Sequence, residues 1–292
     1  MPQLTVEPSE ENLTVLEFLC RRVPGAPSSY LRQLLKKGEV ADSSRVLGEG
    51  DVLRAGLTVR LPGSHRLQEM LARPPLPGNE VETLFESREI LVVNKPAGLA
   101  VHAAQGHDGD NLTKRVAELI RRRGDRFRVA PVHRLDLETS GPLLFGKGKK
   151  SCAALGKLFM EQRVEKLYLA LARGRIDGAG TLTGSVPAKG REKQAATVFR
   201  VVAANEEATL VELGLITGRQ HQIRRQLADR GHPLFGDRRY GGPCPPGLQR
   251  LFLHCRRLSF VDPFSANPVV VDAPLPPSLI SFAASLQVPP EI

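Results

Sequence analysis

The residues with the clearest chemical potential lie in one nine-residue stretch, residues 133–141, His-Arg-Leu-Asp-Leu-Glu-Thr-Ser-Gly. Asp136 follows Arg134 by two positions and precedes the turn-forming run Thr139-Ser140-Gly141 and an apolar segment. This order predicts that Asp136 lies in a loop that enters a sheet. Arg134 and Thr139 could keep the carboxylate ionised, because a nearby cation and hydrogen-bond donors favour the charged form. Asp136 is therefore a candidate nucleophile or base; the structural alternative is an aspartate that caps a turn or pairs with Arg134.

A hydrolase of the Ser-His-Asp type is a rival hypothesis, because His133, Asp136 and Ser140 are close together in the sequence. Members of such a triad normally come from distant parts of a chain. The sequence also has no Gly-x-Ser-x-Gly elbow, which presents the nucleophile in one large class of hydrolases. Both observations argue against a triad.

Charge favours an anionic partner. The chain has 292 residues, in which 41 Lys and Arg outnumber 31 Asp and Glu, so the formal net charge is +10. A positive field of this size attracts polyanions, and nucleic acid becomes the leading class of partner.

The cysteines do not form a recognisable framework. Cys20, Cys152, Cys244 and Cys255 are scattered, with no Cys-x-x-Cys pair, and this predicts neither disulfides nor a zinc site. The N-terminus lacks a basic segment followed by an apolar one, and no later segment approaches the length of a membrane span. We expect a cytoplasmic protein with no bound metal and no membrane partner, and a monomer by default.

The elements that must position Asp136 lie beyond residue 80. Strands with interspersed helices and no regular βαβ period predict an α+β domain with a mixed, mostly antiparallel sheet. The predicted strands are Ile90–Asn94, Leu143–Phe145, Val164–Arg173, Ala196–Ala203, Ala208–Leu215 and Arg250–Phe260, and the predicted helices are Leu112–Arg123, Cys152–Gln162 and His221–Arg230.

The first part of the chain predicts a separate small α+β domain. Leu13–Cys20 and Tyr30–Lys37 have helical apolar spacing, Gly38 ends the second helix, and Leu57–Leu61 alternates like a strand. This order resembles the S4 RNA-binding domain. Prolines and glycine between residues 62 and 80 favour a linker, so we predict an S4-like domain with its linker over residues 1–75 and a catalytic domain over residues 76–292.

Several further motifs accompany the Asp136 segment in a fixed order. Together they resemble the RluA-type RNA pseudouridine synthases, as found in bacterial modification of the large ribosomal subunit, over about residues 85 to 275. The signature His-Arg-Leu-Asp-x-x-Thr-Ser-Gly is matched at every fixed position. The other matching segments are Asn94–His102, Lys166–Ala170, Thr217–Arg224, Gly231–Asp237 and Tyr240-Gly241.

The resemblance implies a catalytic domain of pseudouridine synthase type and an isomerase that needs no cofactor. In that reaction the uracil N1–C1′ bond breaks, the base turns while bound, and a C5–C1′ bond forms. The resemblance makes Asp136 the catalytic carboxylate and leaves open whether it attacks C1′ or removes the C2′ proton. It makes Tyr168 a stacking platform and a candidate proton acceptor at C5, and Arg224 the partner of the catalytic aspartate. The expected substrate-binding residues are Tyr168, Arg224, Arg134, His133 and Thr139.

The expected substrate is 23S ribosomal RNA, because S4-bearing members of this family tend to act on large-subunit RNA. A tRNA pseudouridine synthase and a noncatalytic RNA-binding protein are the alternatives. Phosphate contacts are predicted for two basic helical surfaces, formed by Lys114, Arg115, Arg121, Arg122 and Arg123 and by Arg32, Lys36 and Lys37.

Overall fold

The computed structural model describes residues 2–23, 26, 28–71, 81–103, 110–123, 127–188 and 191–290. The chain divides into two compact units, one of Met1–Glu80 with Gly98–Arg115 and one of Val81–Ala97 with Val116–Ile292. Residues 72–80, where the sequence predicts the end of the linker, lie outside the described residues. The domain limits at residues 75 and 76 therefore stay a prediction.

The described residues of the first unit include two short strands and three complete α-helices. The strands β1 (Gln3–Thr5) and β2 (Thr58–Arg60) pair in antiparallel fashion. Helix α1 (Val15–Arg22) begins after Thr14, whose hydroxyl accepts from the Glu17 N–H while the Glu17 carboxylate accepts from the Thr14 N–H. Such a capping box satisfies N–H groups that lack partners inside the helix. The remaining helices are α2 (Ser28–Lys36) and α3 (His65–Leu71).

Apolar faces of these elements form the core of the first unit. Phe18, Leu19 and Leu31 are fully buried in it. Gly38, at φ +70°, follows α2 in the left-handed conformation that glycine tolerates. The predicted order of helix, helix and strand is observed, and the likeness to an S4 domain stays a prediction.

The second unit is built on two antiparallel sheets. Its strands are β3 (Thr83–Glu86), β4 (Ile90–Lys95), β5 (Val129–Pro131), β6 (Gly141–Lys147), β7 (Val164–Arg173), β8 (Ala179–Ala188), β9 (Arg191–Ala204), β10 (Ala208–Leu215), β11 (Leu253–Val261) and β12 (Pro268–Asp272). One sheet has the order β12-β11-β7-β10-β9-β8 and the other β3-β4-β6-β5. The chain is thus a mixed α+β protein with antiparallel sheets, which confirms the predicted fold class.

The described residues contain four further α-helices. They are α4 (Leu112–Arg122), which continues from the first unit into the second, α5 (Lys149–Met160), α6 (Gln222–Ala228) and α7 (Pro277–Ser285). Side chains of both sheets and of α5, including Val92, Leu144, Leu155 and Leu258, share one buried cluster. A second cluster forms where α7 places Leu279 and Phe282 against the larger sheet.

The two sheets meet directly at the entry of β6. The Cys255 N–H of β11 donates to the Ser140 carbonyl over 2.8 Å, and Ser140 and His254 form an isolated parallel bridge. Gly141 has φ +124°, and a Cβ atom at this position would overlap the Cys255 carbonyl oxygen. The close approach of two backbones therefore requires glycine at the end of the nine-residue stretch.

Candidate active site

A cavity of about 160 Å³ in the second unit brings most of the predicted site residues together. Its walls come from the loop before β6, from β7, and from the segment between β10 and the first turn of α6. Of the predicted residues, Arg134, Asp136, Thr139, Tyr168 and Arg224 line it. His133 does not line this cavity, but an adjoining one.

Asp136 lies in the loop that enters β6, where the Thr139 N–H donates to its carbonyl over 3.1 Å and closes a turn. Its carboxylate is 19% exposed and faces two basic side chains: Oδ2 lies 3.8 Å from His221 Nε2 and 4.0 Å from Arg224 Nη1. Both distances exceed a hydrogen bond. The expected support from Arg134 and Thr139 is not observed, because neither of their side chains forms an ion pair or hydrogen bond with this carboxylate.

The nearest partner of Arg224 is Asp237 rather than the predicted Asp136. Nε and Nη2 of Arg224 each donate to an Asp237 carboxylate oxygen over 2.6 Å, and Asp237 is buried. Burial works to lower the pKa of Arg224, but the hydrogen bond and charge of Asp237, with a smaller contribution from Asp136, raise it overall. Arg224 is thus a fixed cation with its third nitrogen towards the Asp136 carboxylate.

His221 immediately precedes α6, in the left-handed conformation with φ +53°. This conformation ends the helical path, so α6 begins one residue later than the sequence predicts. Nδ1 lies 3.0 Å from the Tyr240 hydroxyl, which leaves Nε2 facing Asp136. Burial lowers the pKa of His221 and outweighs the opposing effect of Asp136, so a neutral imidazole lies beside the carboxylate at neutral pH.

Tyr240 joins three arginines at the edge of the site. The guanidinium carbons of Arg224, Arg225 and Arg239 lie 5.1, 5.5 and 5.9 Å from its ring centroid, within the range of cation–π contacts. Its hydroxyl also accepts from Arg225 Nε over 2.9 Å. Tyr240 therefore holds the arginine cluster and His221 in one arrangement.

Tyr168 reaches the cavity from β7, with only 5% of the residue exposed. Burial raises the pKa of its phenol, and the neighbouring Cys255 and Asp136 act in the same direction. The phenol is therefore neutral at physiological pH and presents a largely buried aromatic ring to the cavity.

The loop is also held from behind, by a set of side chains that we call the loop support: Lys95, Ser140, Arg250 and His254. The fully buried Lys95 ammonium nitrogen donates to the Leu137 carbonyl over 3.0 Å and to the Pro96 carbonyl over 2.9 Å. Arg250 donates to the Glu138 carbonyl over 3.3 Å and to the Ser140 hydroxyl over 2.8 Å. The backbone beside Asp136 is therefore fixed by Lys95, at the end of β4, and by Arg250, which lies shortly before β11.

His254 completes the loop support in its neutral form. Burial lowers its pKa to about 4, and Nε2 lies 3.1 Å from the Ala273 carbonyl, which can only accept. Nε2 must then carry the hydrogen, so Nδ1 accepts from the Ser140 hydroxyl over 2.8 Å. Burial also lowers the pKa of Lys95, to about 7.

His133 anchors the start of the loop. Its Nε2 accepts from the Leu144 N–H over 3.0 Å, and its ring stacks on Phe159 with centroids 4.6 Å apart. Burial lowers the pKa of His133 to about 3, so it is neutral at physiological pH. These contacts place His133 in the framework of the loop and leave it outside the cavity that contains Asp136.

Several residues of the site were not among the sequence candidates. Asp237, Tyr240, Lys95 and His221 belong to matching motifs, so the motifs were the available signal, but nothing in the sequence showed which contacts they make. Arg250 and His254 gave only the pattern of a strand. The hydrogen-bonded pairs Arg224–Asp237 and Ser140–His254 join residues that are 13 and 114 positions apart in the sequence.

Within the described ranges, no three or more His, Cys, Asp or Glu side chains cluster as metal ligands would. The helices described there are all too short or too polar to span a bilayer.

Comparison with known proteins finds one protein family. Residues 89–229 match the family model described as RNA pseudouridylate synthase. The chain is 36% identical over 227 residues to the RNA pseudouridine synthase YhcT of Bacillus subtilis, covering 72% of this chain and 74% of that one. It is 32% identical to ribosomal large subunit pseudouridine synthase C of Pasteurella multocida, covering 97% and 93%, and of Escherichia coli, covering 93% and 92%.

Solved structures are similar over the same region. Human RNA pseudouridylate synthase domain containing 1 has a TM-score of 0.57 at 29% identity, covering 72% of this chain and 90% of that one. Human RNA pseudouridylate synthase domain containing 4 has a TM-score of 0.61 at 22% identity, covering 70% and 93%, and its likeness concerns the fold.

Proposed function

Because this chain belongs to the RluA-type RNA pseudouridine synthases, isomerases that act on RNA, we propose that it converts specific uridines of large-subunit ribosomal RNA to pseudouridine, with Asp136 as the catalytic carboxylate. The observation that carries this proposal is the position of Asp136 on the wall of a cavity that also contains Tyr168 and Arg224. A stacked uridine is inaccessible in RNA, so the enzyme must extrude it into such a cavity.

The cavity offers contacts for an extruded uridine. The neutral ring of Tyr168 supplies a surface on which the base can stack. Thr139 lines the cavity, and its hydroxyl is buried with no hydrogen-bond partner among the described residues. Buried polar groups normally have partners, so this hydroxyl is suited to bind the uracil edge or the ribose. Arg134 is exposed at the same wall and is suited to contact the RNA backbone.

Asp136 is suited to the reaction because its backbone is fixed while its carboxylate accepts no hydrogen bond from the described residues. Arg224 and His221 stand close enough to influence the carboxylate electrostatically. When the N1–C1′ bond breaks, C1′ becomes electron-poor, and the carboxylate can attack that carbon, as in retaining glycosidases, or take the C2′ proton. The raised pKa of Tyr168 favours its stacking role over a role as proton acceptor at C5.

Ribosomal RNA is proposed as the substrate because the relatives that this chain matches over more than 90% of both lengths carry large-subunit names. The first unit is proposed to contribute an S4-like RNA contact. Lys36 and Lys37 are exposed at the end of α2, and Arg32 is exposed beside Glu49, with which it forms an ion pair over 3.0 Å. Lys36 and Lys37 are available to phosphates, and Arg32 would contact one in place of Glu49.

The decisive experiment compares ribosomal RNA from a deletion strain with RNA from its parent by carbodiimide-adduct primer extension. We expect one or more pseudouridines to disappear and to return when the purified wild-type protein is added without cofactor. Asp136→Asn should lower the conversion rate by about 10⁴ or more, the scale seen when a central catalytic group is removed, while RNA binding and the free energy of unfolding stay unchanged.

Two other outcomes are informative. Loss of pseudouridine from tRNA alone would support the isomerase activity and contradict ribosomal RNA as its substrate. If every pseudouridine remained in the deletion strain and none formed in vitro, a noncatalytic RNA-binding protein would be the correct description.

A further inference from the structure

A second cavity of about 390 Å³ adjoins the one that contains Asp136. We call it the side groove. Its far walls are formed by the end of α5 and by the residues that follow β10. Five residues line both cavities: Arg134, Lys166, Leu215, Gly218 and Arg219. A ligand that fills the cavity containing Asp136 can therefore continue into the side groove.

The side groove exposes apolar side chains to solvent. Met160, the last residue of α5, is 78% exposed, and Ile216, directly after β10, is 48% exposed. Phe159 is less accessible, because His133 stacks on its ring and the Lys166 ammonium nitrogen lies 5.7 Å from its centroid. The accessible apolar surface is therefore that of Met160 and Ile216, beside the candidate active site.

The charges of the side groove suit an anion. Its lining includes Arg134, Lys166 and Arg219, and none of the lining residues is an aspartate or glutamate. Lys166 is substantially buried, and no carboxylate among the described residues lies within 4.0 Å of it. Arg219 Nε is buried and has no hydrogen-bond partner in the described part of the chain. A buried donor without a partner is costly, so Arg219 Nε is suited to donate to an acceptor on a bound ligand.

We propose that the side groove binds the nucleotide that flanks the target uridine, with its base against Met160 and Ile216 and its phosphate near Arg219 and Lys166. This inference rests on the proposed function. A flanking nucleotide is joined to the target by one phosphodiester, and the shared walls let a single strand occupy both cavities. The contacts of this nucleotide would offset part of the free-energy cost of unstacking that extrusion of the uridine requires.

The residues that line the side groove also predict which feature of the flanking nucleotide is recognised. Apolar contacts with the face of a base tolerate different bases, because each base has a π-face. The side groove should therefore require that a flanking base is present and discriminate little among bases.

The test uses a short RNA that carries the mapped uridine, together with two versions that have an abasic residue directly 5′ or directly 3′ of it. One abasic RNA should lower the wild-type kcat/KM about tenfold, since contacts to the face of one base typically contribute an effect of this order. The double variant Met160→Ser/Ile216→Ser should have a kcat/KM about tenfold below the wild-type value on intact RNA. Its kcat/KM should not fall further on that abasic RNA.

Matched variants control for surface changes. Val270→Ser removes an apolar side chain that is 57% exposed on β12 and lines neither cavity, and it should leave kcat/KM unchanged. Met160→Leu keeps an apolar surface and should retain most of the wild-type value. All variants should unfold within about 0.5 kcal/mol of the wild type, as expected for exposed positions.

The inference is overturned if the wild type converts both abasic RNAs at the intact rate, or if the losses from the double variant and the abasic residue multiply. Either result leaves the proposed function in place. A wild-type protein that cannot convert the intact RNA would overturn the proposed function and this inference together.

Discussion

The two sides of the Asp136 loop are built differently. Behind it, Lys95 and Arg250 of the loop support donate to the Leu137 and Glu138 carbonyls over 3.0 and 3.3 Å. The Ser140 hydroxyl accepts from Arg250 and donates to His254, each over 2.8 Å. In front, His221 and Arg224 approach the Asp136 carboxylate only to 3.8 and 4.0 Å. The loop is thus fixed through its backbone while its functional side chain keeps its lone pairs available.

This difference suits a group that must act on an electron-poor carbon. Tight hydrogen bonds to the carboxylate would stabilise its charge and reduce its reactivity, whereas tight bonds to the neighbouring carbonyls fix its position without that effect. Variants behind the loop should therefore act through stability and geometry, whereas variants in front should change the chemistry in addition to any effect on stability. Three predictions separate these effects.

The largest change in stability is expected from Arg224, which lies in front of the loop and is held by Asp237. Arg224→Met should lower the free energy of unfolding by about 3–5 kcal/mol, because it leaves Asp237 charged, buried and without its cation. It should also lower kcat, because the cation nearest the Asp136 carboxylate is lost. Urea denaturation and single-turnover conversion measure the two effects.

The double variant Arg224→Met/Asp237→Asn tests whether the two effects are separate. It removes the unpaired buried charge of Asp237, so most of the stability should return while kcat stays low. If kcat recovered together with stability, Arg224 would act only as the partner of Asp237, and the contrast between front and back would be wrong.

An intermediate effect is expected behind the loop. Ser140→Ala removes the acceptor of Arg250 and the donor to His254, and it should lower the free energy of unfolding by about 1–3 kcal/mol, the usual cost of leaving buried polar groups without partners. Ser259→Ala, a matched change on β11 where the hydroxyl donates to Glu165 over 3.3 Å, should cost less than about 0.5 kcal/mol. Equal losses in the two variants would contradict the structural role of Ser140.

A pH dependence of stability is expected from Lys95. Its pKa is lowered from 10.5 to about 7 in the folded protein, first by burial and then by Arg250. Between these values the unfolded chain binds more protons, so rising pH stabilises the folded state by up to about 1.4 kcal/mol per pH unit. Lys95→Met should lack this contribution.

Unfolding of wild type and Lys95→Met at pH values between 7 and 10 measures the difference directly. Because other groups titrate equally in both proteins, only the gap between the two curves is informative. The gap should shift in favour of the wild type as pH rises; a constant gap would mean that Lys95 keeps its ordinary pKa.

Much of the fold followed from local sequence patterns. The predicted strands 164–173 and 208–215 coincide with β7 and β10, because their apolar residues form long uninterrupted patterns in the centre of a sheet. β8 was missed: it lies at the edge of its sheet, and its glycines and proline disfavour a strand by local propensity. Helix α6 begins one residue later than predicted because spacing alone does not reveal the left-handed conformation of His221.

The site was less accessible to sequence reasoning. The motifs predicted which segments surround Asp136, and the cavity contains five of the six candidate residues. Partner choice was not predictable, because the pairing of Arg224 with Asp237 depends on how the turn at residues 236–242 folds back. The loop support depends on a strand that follows the loop by more than 100 residues. The assigned roles of the six candidates stay predictions until variants are measured.

The close approach at Gly141 has a consequence for protein design. Grafting the nine-residue segment onto another scaffold would not transfer its geometry, because the position of Gly141 is set by the Cys255 backbone of a strand outside the segment. The smallest portable unit is the segment together with β11, whose Cys255 N–H and His254 imidazole fix the loop at Ser140.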